Sequence, residues 1–200
     1  MKYWERFTNF KQRGEWVELQ FMAQAAQHCF AVSKPWGDTR AYDVGIEHGE
    51  NFLRVQVKST TSRSGAGYRC QFMPNHQSKH DYSLRQIDLF AAYVIPEDAW
   101  YLIPAVLLLG KRRKSMAMLC PVVPPAKKAS YCYEGYREGW NMLTRSRSEL
   151  LQCASDYSCV LKGRGFKPRR RPIKWIAALA AEATPEGKIG LRAFSSRPTR

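Results

Sequence analysis

The stretch from Tyr42 to Lys58, YDVGIEHGENFLRVQVK, constrains the fold more than any other part of the chain. Apolar and polar residues alternate on both sides of its central glycine, and a period of two belongs to strands. Tyr42, Val44 and Ile46 face one way and Asp43, Gly45 and Glu47 the other. In the second run Val55 and Val57 oppose Arg54, Gln56 and Lys58. If Gly49 and Glu50 are the central residues of a tight turn, glycine in the first place favours type II′. His48 then pairs with Asn51, and the register carries Asp43 opposite Gln56. One polar face would hold a carboxylate, an amide and an ammonium. A hairpin with an ordinary wet face is the plainer reading, and a bulged turn would shift the register.

The flanking segments supply a helix and further strands. From about Gln12 to Gln27 the chain lacks proline and ends in FMAQAAQ, which predicts a helix. Trp16, Leu19, Ala23 and Ala26 recur at helical spacing and are its expected buried stripe, with Glu15, Glu18 and Met22 on a neighbouring face. HCFAVSK and YRCQF read as short strands, and DLFAAYVIP and AWYLIPA as a strand pair closing the sheet. VLLLG suits a helical turn and MAMLCPVVPP an edge strand stopped by its prolines. Tyr133, Tyr136, Trp140 and Leu143 predict a helix over Tyr131 to Leu143.

Charge points to a polyanionic partner. The 200 residues carry a formal charge of +15, and residues 162–200 hold 11 Lys and Arg against two acids. Clustered cations gain affinity by releasing counterions from a phosphate backbone. No apolar run approaches the length needed to span a bilayer and the N-terminus lacks a secretory pattern, so the expected location is the cytoplasm, or the nucleoid in a prokaryote. Cys29, Cys70, Cys120, Cys132, Cys153 and Cys159 include no C-x-x-C pair, which favours idle thiols over zinc or disulfides.

The polar face has the residue types of a metal-dependent phosphodiester site. Such chemistry needs oxygen ligands that hold a divalent cation near the scissile phosphate, and a group that orients water. Asp43 can ligate directly, with the Val57 main-chain carbonyl and the Gln56 side-chain carbonyl as further donors. Lys58 can position the water and stabilise developing negative charge. Glu18 is the candidate second acid, because its apolar surroundings make an unpaired carboxylate costly. A surface ion pair is the alternative for Glu18, and Glu15 is its rival.

Taken together, GExxE (Gly14 to Glu18), KPWGDTRAYDVGIE, RVQVKST and IDLFAAYVIPEDAWYLIP resemble the PD-(D/E)XK nuclease superfamily. The chain is most similar to its branch of group I intron-associated homing endonucleases, with archaeal Holliday-junction resolvases more distant. The resemblance covers about Gln12 to Ala105 and, more loosely, Tyr131 to Leu143. It implies an α/β fold with a restriction-endonuclease-like core, a central mixed β-sheet of four or five strands flanked by helices. Carried over by residue, the helix acid falls on Glu18, the strand aspartate on Asp43 and the (D/E)-x-K on Gln56, Val57 and Lys58. Glutamine in place of the acid is known in the intron-associated branch and implies weaker metal affinity. The resemblance further implies a Mg²⁺- or Mn²⁺-dependent endodeoxyribonuclease acting on double-stranded DNA as a homo-oligomer, a dimer or tetramer. A structure-selective resolvase-like nuclease and a non-catalytic nucleic-acid-binding protein on the same fold are the alternatives. Residues 1–145 form the expected nuclease-like domain and 146–200 a basic, partly disordered extension.

Arg63, Arg69, Lys79, Arg85, Lys111, Arg112, Arg113 and Lys114, with Arg169, Arg170 and Arg171 in the tail, are candidate DNA contacts. Tyr68 and Tyr82 suit base stacking or packing. Asp38 is first a turn residue, Asp88 a partner for backbone or arginine, and His76 and His80 surface histidines.

Overall fold

The computed structural model of the chain describes residues 3–7, 9–37, 39–74, 82–110, 114–122 and 133–160. In chain order these give helix α1 (Phe10–Gln27), strands β1 (Ala31–Ser33), β2 (Val44–His48), β3 (Asn51–Thr60), β4 (Arg63–Ser64), β5 (Gly67–Gln71), β6 (Leu89–Val94) and β7 (Ala99–Pro104), helical turn α2 (Val106–Leu109), strand β8 (Met116–Leu119) and helix α3 (Arg147–Val160).

The main sheet has five strands in the order β1-β2-β3-β6-β7. β3 and β6 run parallel and the other neighbours antiparallel, which is the mixed sheet that the resemblance implies. The hairpin has the expected register, from Val44 opposite Val55 to His48 opposite Asn51. Gly49 takes φ +59°, and among the described non-glycine residues only Cys29, Asp98 and Glu138 have positive φ, so Glu50 keeps the negative φ of a type II′ turn. Space around Gly49 is open, with no heavy atom within 4 Å of where a Cβ would sit. Gly49→Ala therefore tests backbone strain alone and is expected to cost about 1 kcal/mol. The urea midpoint should fall with an unchanged slope; an unshifted midpoint would show that the turn relaxes freely.

Helix α1 is capped by Asn9, whose Oδ1 accepts the Lys11 N–H at 2.8 Å. Its buried row is Val17, Phe21 and Ala25. That corrects the expected stripe: Trp16 is only partly buried, Leu19 is 58% exposed, and Ala23 and Ala26 face solvent. One ring decides the rotation. Phe21 has no exposed surface and packs between Trp100, at 5.5 Å between ring centroids, and Trp140, at 5.9 Å. A buried aromatic ring outweighs the small alanines of the expected stripe. The same core takes Leu53, Val55 and Val57 from β3 and Leu89, Ala91 and Tyr93 from β6, so α1 covers the odd-numbered face of β3.

The opposite face of the sheet is closed differently from expectation. YRCQF and MAMLCPVVPP do contain strands, β5 and β8, but these join β4 in a separate three-stranded sheet, β4-β5-β8. Phe72, just past β5, packs edge-on against Phe90 of β6 at 5.4 Å. Every residue of β6 and β7 is buried, as their unbroken apolar runs require.

No α-helix forms over the described part of Tyr131 to Leu143; Tyr131 and Cys132 lie outside the described residues. Two 3₁₀ turns, Glu134–Tyr136 and Trp140–Thr144, are separated by Arg137, which bridges to Tyr101, and by Glu138 at φ +49°. Three-residue spacing serves a 3₁₀ turn as well as an α-helix, and the buried Glu134 carboxylate pins the segment by accepting from Tyr101 Oη at 2.8 Å and Cys120 N–H at 2.9 Å. After it, α3 buries Leu150 and Cys153. Residues 161–200, with Arg169, Arg170 and Arg171, lie outside the described residues.

Cys29, Cys70, Cys120 and Cys153 are free thiols. Burial pushes Cys70 up to about 12, so it is a protonated core group at neutral pH. Among the described residues no helix is long and apolar enough to cross a membrane.

Candidate active site

The site is built where β2 stops pairing with β3. The ladder ends at Val44 opposite Val55, and the Asp43 N–H makes one further bond to the Val55 carbonyl at 2.9 Å. Beyond that point the β2 side of β3 lies open. The Val57 N–H, which would have met a backbone carbonyl, meets the Asp43 carboxylate instead, at 2.7 Å to Oδ2. Since a strand residue's N–H and C=O point to the same side, the Val57 carbonyl faces this gap too. Gln56, only 5% exposed, donates its amide to Asp43 Oδ2 and stands 3.4 Å from the Val57 carbonyl.

Lys58 completes the polar face two residues on. Its Nζ donates to Tyr82 Oη at 2.9 Å and lies 5.0 Å from the centre of that ring, while Tyr82 is buried against Phe90. Tyr82 therefore packs and at the same time holds the ammonium. The sequence offers stacking or packing for this tyrosine and gives no sign of the contact, because the two residues are joined only through the tertiary fold.

Glu18 reaches the site from helix α1. Helix α1 does not lie across the face that carries Gln56 and Lys58; it lies on the other one. Glu18 nevertheless lines the same open pocket of about 320 Å³, with Gly14 and Val17 of α1 on one side and Asp43, Gln56, Val57, Lys58 and Ser59 on the other. The gap left by β2 is what lets groups from the two faces of the sheet meet. Glu15 is exposed and does not line the pocket. Glu18 also accepts from Lys34 Nζ at 2.7 Å, so the surface ion pair is present alongside the pocket position.

The charges in the pocket press on Asp43. Burial pushes its carboxyl up to about 6, and the neighbouring Glu18 charge adds to this, against Lys58, the Val57 N–H and Lys34, which hold it down. Among the described residues no three His, Cys, Asp or Glu side chains gather as a metal cluster. The available donors are two carboxylates, the Gln56 amide and a main-chain carbonyl, all oxygen once the amide turns over and exchanges Nε2 for Oε1. Hard oxygen donors of this kind, with no histidine or thiolate among them, suit Mg²⁺ or Mn²⁺ better than zinc.

The other sequence candidates scatter. Arg63 and Arg69 are exposed on the second sheet, and Arg85 is exposed on the segment before β6. Lys114 donates to Tyr133 Oη at 3.2 Å. Tyr68 is buried and donates to Glu97 at 2.5 Å. Asp88 is a structural acceptor: it takes the Arg54 N–H and Nε, each at 2.9 Å to Oδ2, and Arg54 Nη2 at 2.9 Å to Oδ1. Asp38, His76, Lys79, His80, Lys111, Arg112 and Arg113 lie outside the described residues.

A family model described as PD-(D/E)XK endonuclease matches residues 8–129. No curated protein matches the chain. Among solved structures, the bacterial homing endonuclease I-Ssp6803I is similar with a TM-score of 0.58 and 23% identity, over 68% of this chain and 93% of that one. Archaeoglobus fulgidus Hjc, a Holliday junction resolvase, aligns with a TM-score of 0.40 and 14% identity, over 64% of this chain and 96% of its own.

Proposed function

Because this chain belongs to the PD-(D/E)XK endonuclease family, we propose that it hydrolyses phosphodiester bonds of double-stranded DNA with Mg²⁺ or Mn²⁺, in the manner of a homing endonuclease. The observation that carries the reading is the gap beside β3, where the Asp43 carboxylate, the Gln56 amide and the Val57 main chain converge in one pocket with Glu18 and Lys58. Asp43, Glu18, the Gln56 amide oxygen and the Val57 carbonyl would hold the ion. When bound, it supplies Lewis-acid polarisation of a phosphoryl oxygen and a more acidic water.

The rest falls to the side chains. With one N–H of Lys58 given to Tyr82, two remain, one for the attacking water and one for a non-bridging phosphate oxygen as charge builds there. Tyr82, fixed by its packing on Phe90, sets where that ammonium stands. Above pH of about 6 Asp43 is ionised and available as a ligand; below it, a proton competes with the metal. The formal charge of +15, with Arg63, Arg69 and Arg85 exposed, suits a phosphate backbone and predicts binding that weakens steeply with salt. Two copies would supply one centre for each strand to be cut, and a tetramer would hold two such pairs.

Nicking of a supercoiled plasmid library carrying randomised inserts tests the activity. Relaxed and linear products should form with Mn²⁺ or Mg²⁺ and should vanish when EDTA is added. Cleavage that persists in EDTA, or a library left intact with either metal, would contradict the proposal.

A further inference from the structure

Lys34 follows β1 directly, at the end of the sheet where β2 leaves β3, since Ser33 pairs with Gly45 and Lys34 comes next. Its Nζ stands 2.7 Å from Glu18 Oε2, with the lysine side chain 50% and the glutamate 20% exposed. The pocket region thus holds two carboxylates, Asp43 and Glu18, and two ammonium groups, Lys58 and Lys34. Among themselves these four groups cancel, which leaves only the exposed Glu15, itself within reach of Lys34, to draw in a divalent cation. One ammonium has to leave before the carboxylates can act as ligands together. Lys58 is fixed from behind by the Tyr82 hydroxyl and ring. Lys34 is half in solvent, so it can leave at little cost.

We propose that Lys34 is a built-in counterion: it occupies Glu18 while the site is metal-free, and a divalent cation must displace it to bind. This rests on the metal-site reading above and adds a residue to it. The pair keeps Glu18 from pressing its full charge on the partly buried Asp43, and it raises the metal concentration needed to fill the site. The sequence reading assigns no role to Lys34, which appears there only as the last residue of HCFAVSK and the first of KPWGDTRAYDVGIE.

Two measurements on the full chain decide it, neither of which needs cleavage. The first is Mn²⁺ affinity by calorimetry. A half-exposed pair of this kind is typically worth up to about fivefold in an equilibrium constant. Lys34→Gln should therefore bind Mn²⁺ more tightly than wild type, by up to about fivefold, and Lys34→Arg, which keeps the charge and the reach, should bind as wild type does. The second is the lysine Cε–Hε NMR signal that disappears in Lys34→Gln. In wild type it should move toward the position of an unpaired lysine as Mg²⁺ saturates the site.

Unchanged or weaker Mn²⁺ binding in Lys34→Gln overturns the proposal, as does a Lys34 signal that stays put at saturating Mg²⁺. If Asp43→Asn abolishes Mn²⁺ binding in that same series, the metal site survives and only the counterion role falls. If wild type and Lys34→Gln both fail to bind the metal, the site reading falls and the counterion role with it.

Discussion

Asp43→Asn should abolish metal-dependent cleavage and at the same time make the metal-free protein more stable. Loss of the principal carboxylate ligand is expected to reduce the rate by on the order of 10³-fold or more, since neither an amide nor the remaining Glu18 replaces its charge. The stability change has the opposite sign because this carboxylate is costly when ionised. Its pKa rises from 3.8 to about 6 on folding, chiefly through burial. A group whose folded pKa lies above the unfolded value contributes stability that is full below about 4 and is lost as pH rises through about 6. At pH 8 the ionised side chain therefore costs the metal-free fold roughly 3 kcal/mol. Asparagine keeps an oxygen for the Val57 N–H and carries no charge. In EDTA the variant should exceed wild type by roughly 1–3 kcal/mol at pH 8, and the two should converge by pH 4. Urea titrations at the two pH values check this. A variant less stable than wild type at pH 8 would show that Asp43 is a structural anchor, with its charge already satisfied in the fold.

Asp88 sets up the reverse result, a carboxylate whose removal breaks the fold. Its side chain is 2% exposed and faces two guanidinium groups. Arg54 donates to it from its N–H, Nε and Nη2, and Arg147 Nε lies 3.0 Å from Oδ1 as an ion pair without hydrogen-bond geometry. The backbone closes the same link, with Asp88 N–H donating to the Arg54 carbonyl at 2.9 Å. Asp88→Ala leaves one backbone donor and two guanidiniums without their acceptor, and should cost about 3–5 kcal/mol. Asp88→Asn should cost less, because it can still accept one bond. The loss should reach the site as well. Arg54 holds the Arg85 carbonyl and Arg147 Nη2 holds that of Leu84 at 2.7 Å, and this segment leads from Tyr82, the partner of Lys58. A thermal midpoint for Asp88→Ala within a few degrees of wild type would contradict the account.

The parts of this fold that could be read from the sequence are those with a local signal. Alternation about Gly49 predicts the hairpin, and with it the meeting of Asp43, Gln56 and Lys58, because a two-residue turn leaves the register no freedom. The unbroken apolar runs of β6 and β7 are equally plain. What the sequence hides depends on contacts between distant segments. Leu19 and Phe21 are both apolar residues on one helix, and only the positions of Trp100 and Trp140 select Phe21. β5 and β8 look like strands, but nothing local says that they pair with each other and stand apart from the main sheet. The spacing of Tyr133, Tyr136 and Trp140 suggests an α-helix, whereas the demands of Glu134 on Tyr101 and Cys120 break it into 3₁₀ turns. Glu18 is nameable as an acid in apolar surroundings; that it reaches Asp43 through a gap in the sheet, already paired with Lys34, is not.

The central claim is that the gap between the end of β2 and the middle of β3 is a divalent-metal site. Anomalous diffraction from crystals soaked in Mn²⁺ tests it most directly. The account predicts a peak within about 2.5 Å of an Asp43 carboxylate oxygen, the Gln56 amide oxygen and the Val57 carbonyl, with the amide turned over from its metal-free orientation. A map without a peak there at saturating Mn²⁺, or with its only strong peak at another cluster of side chains, would contradict it.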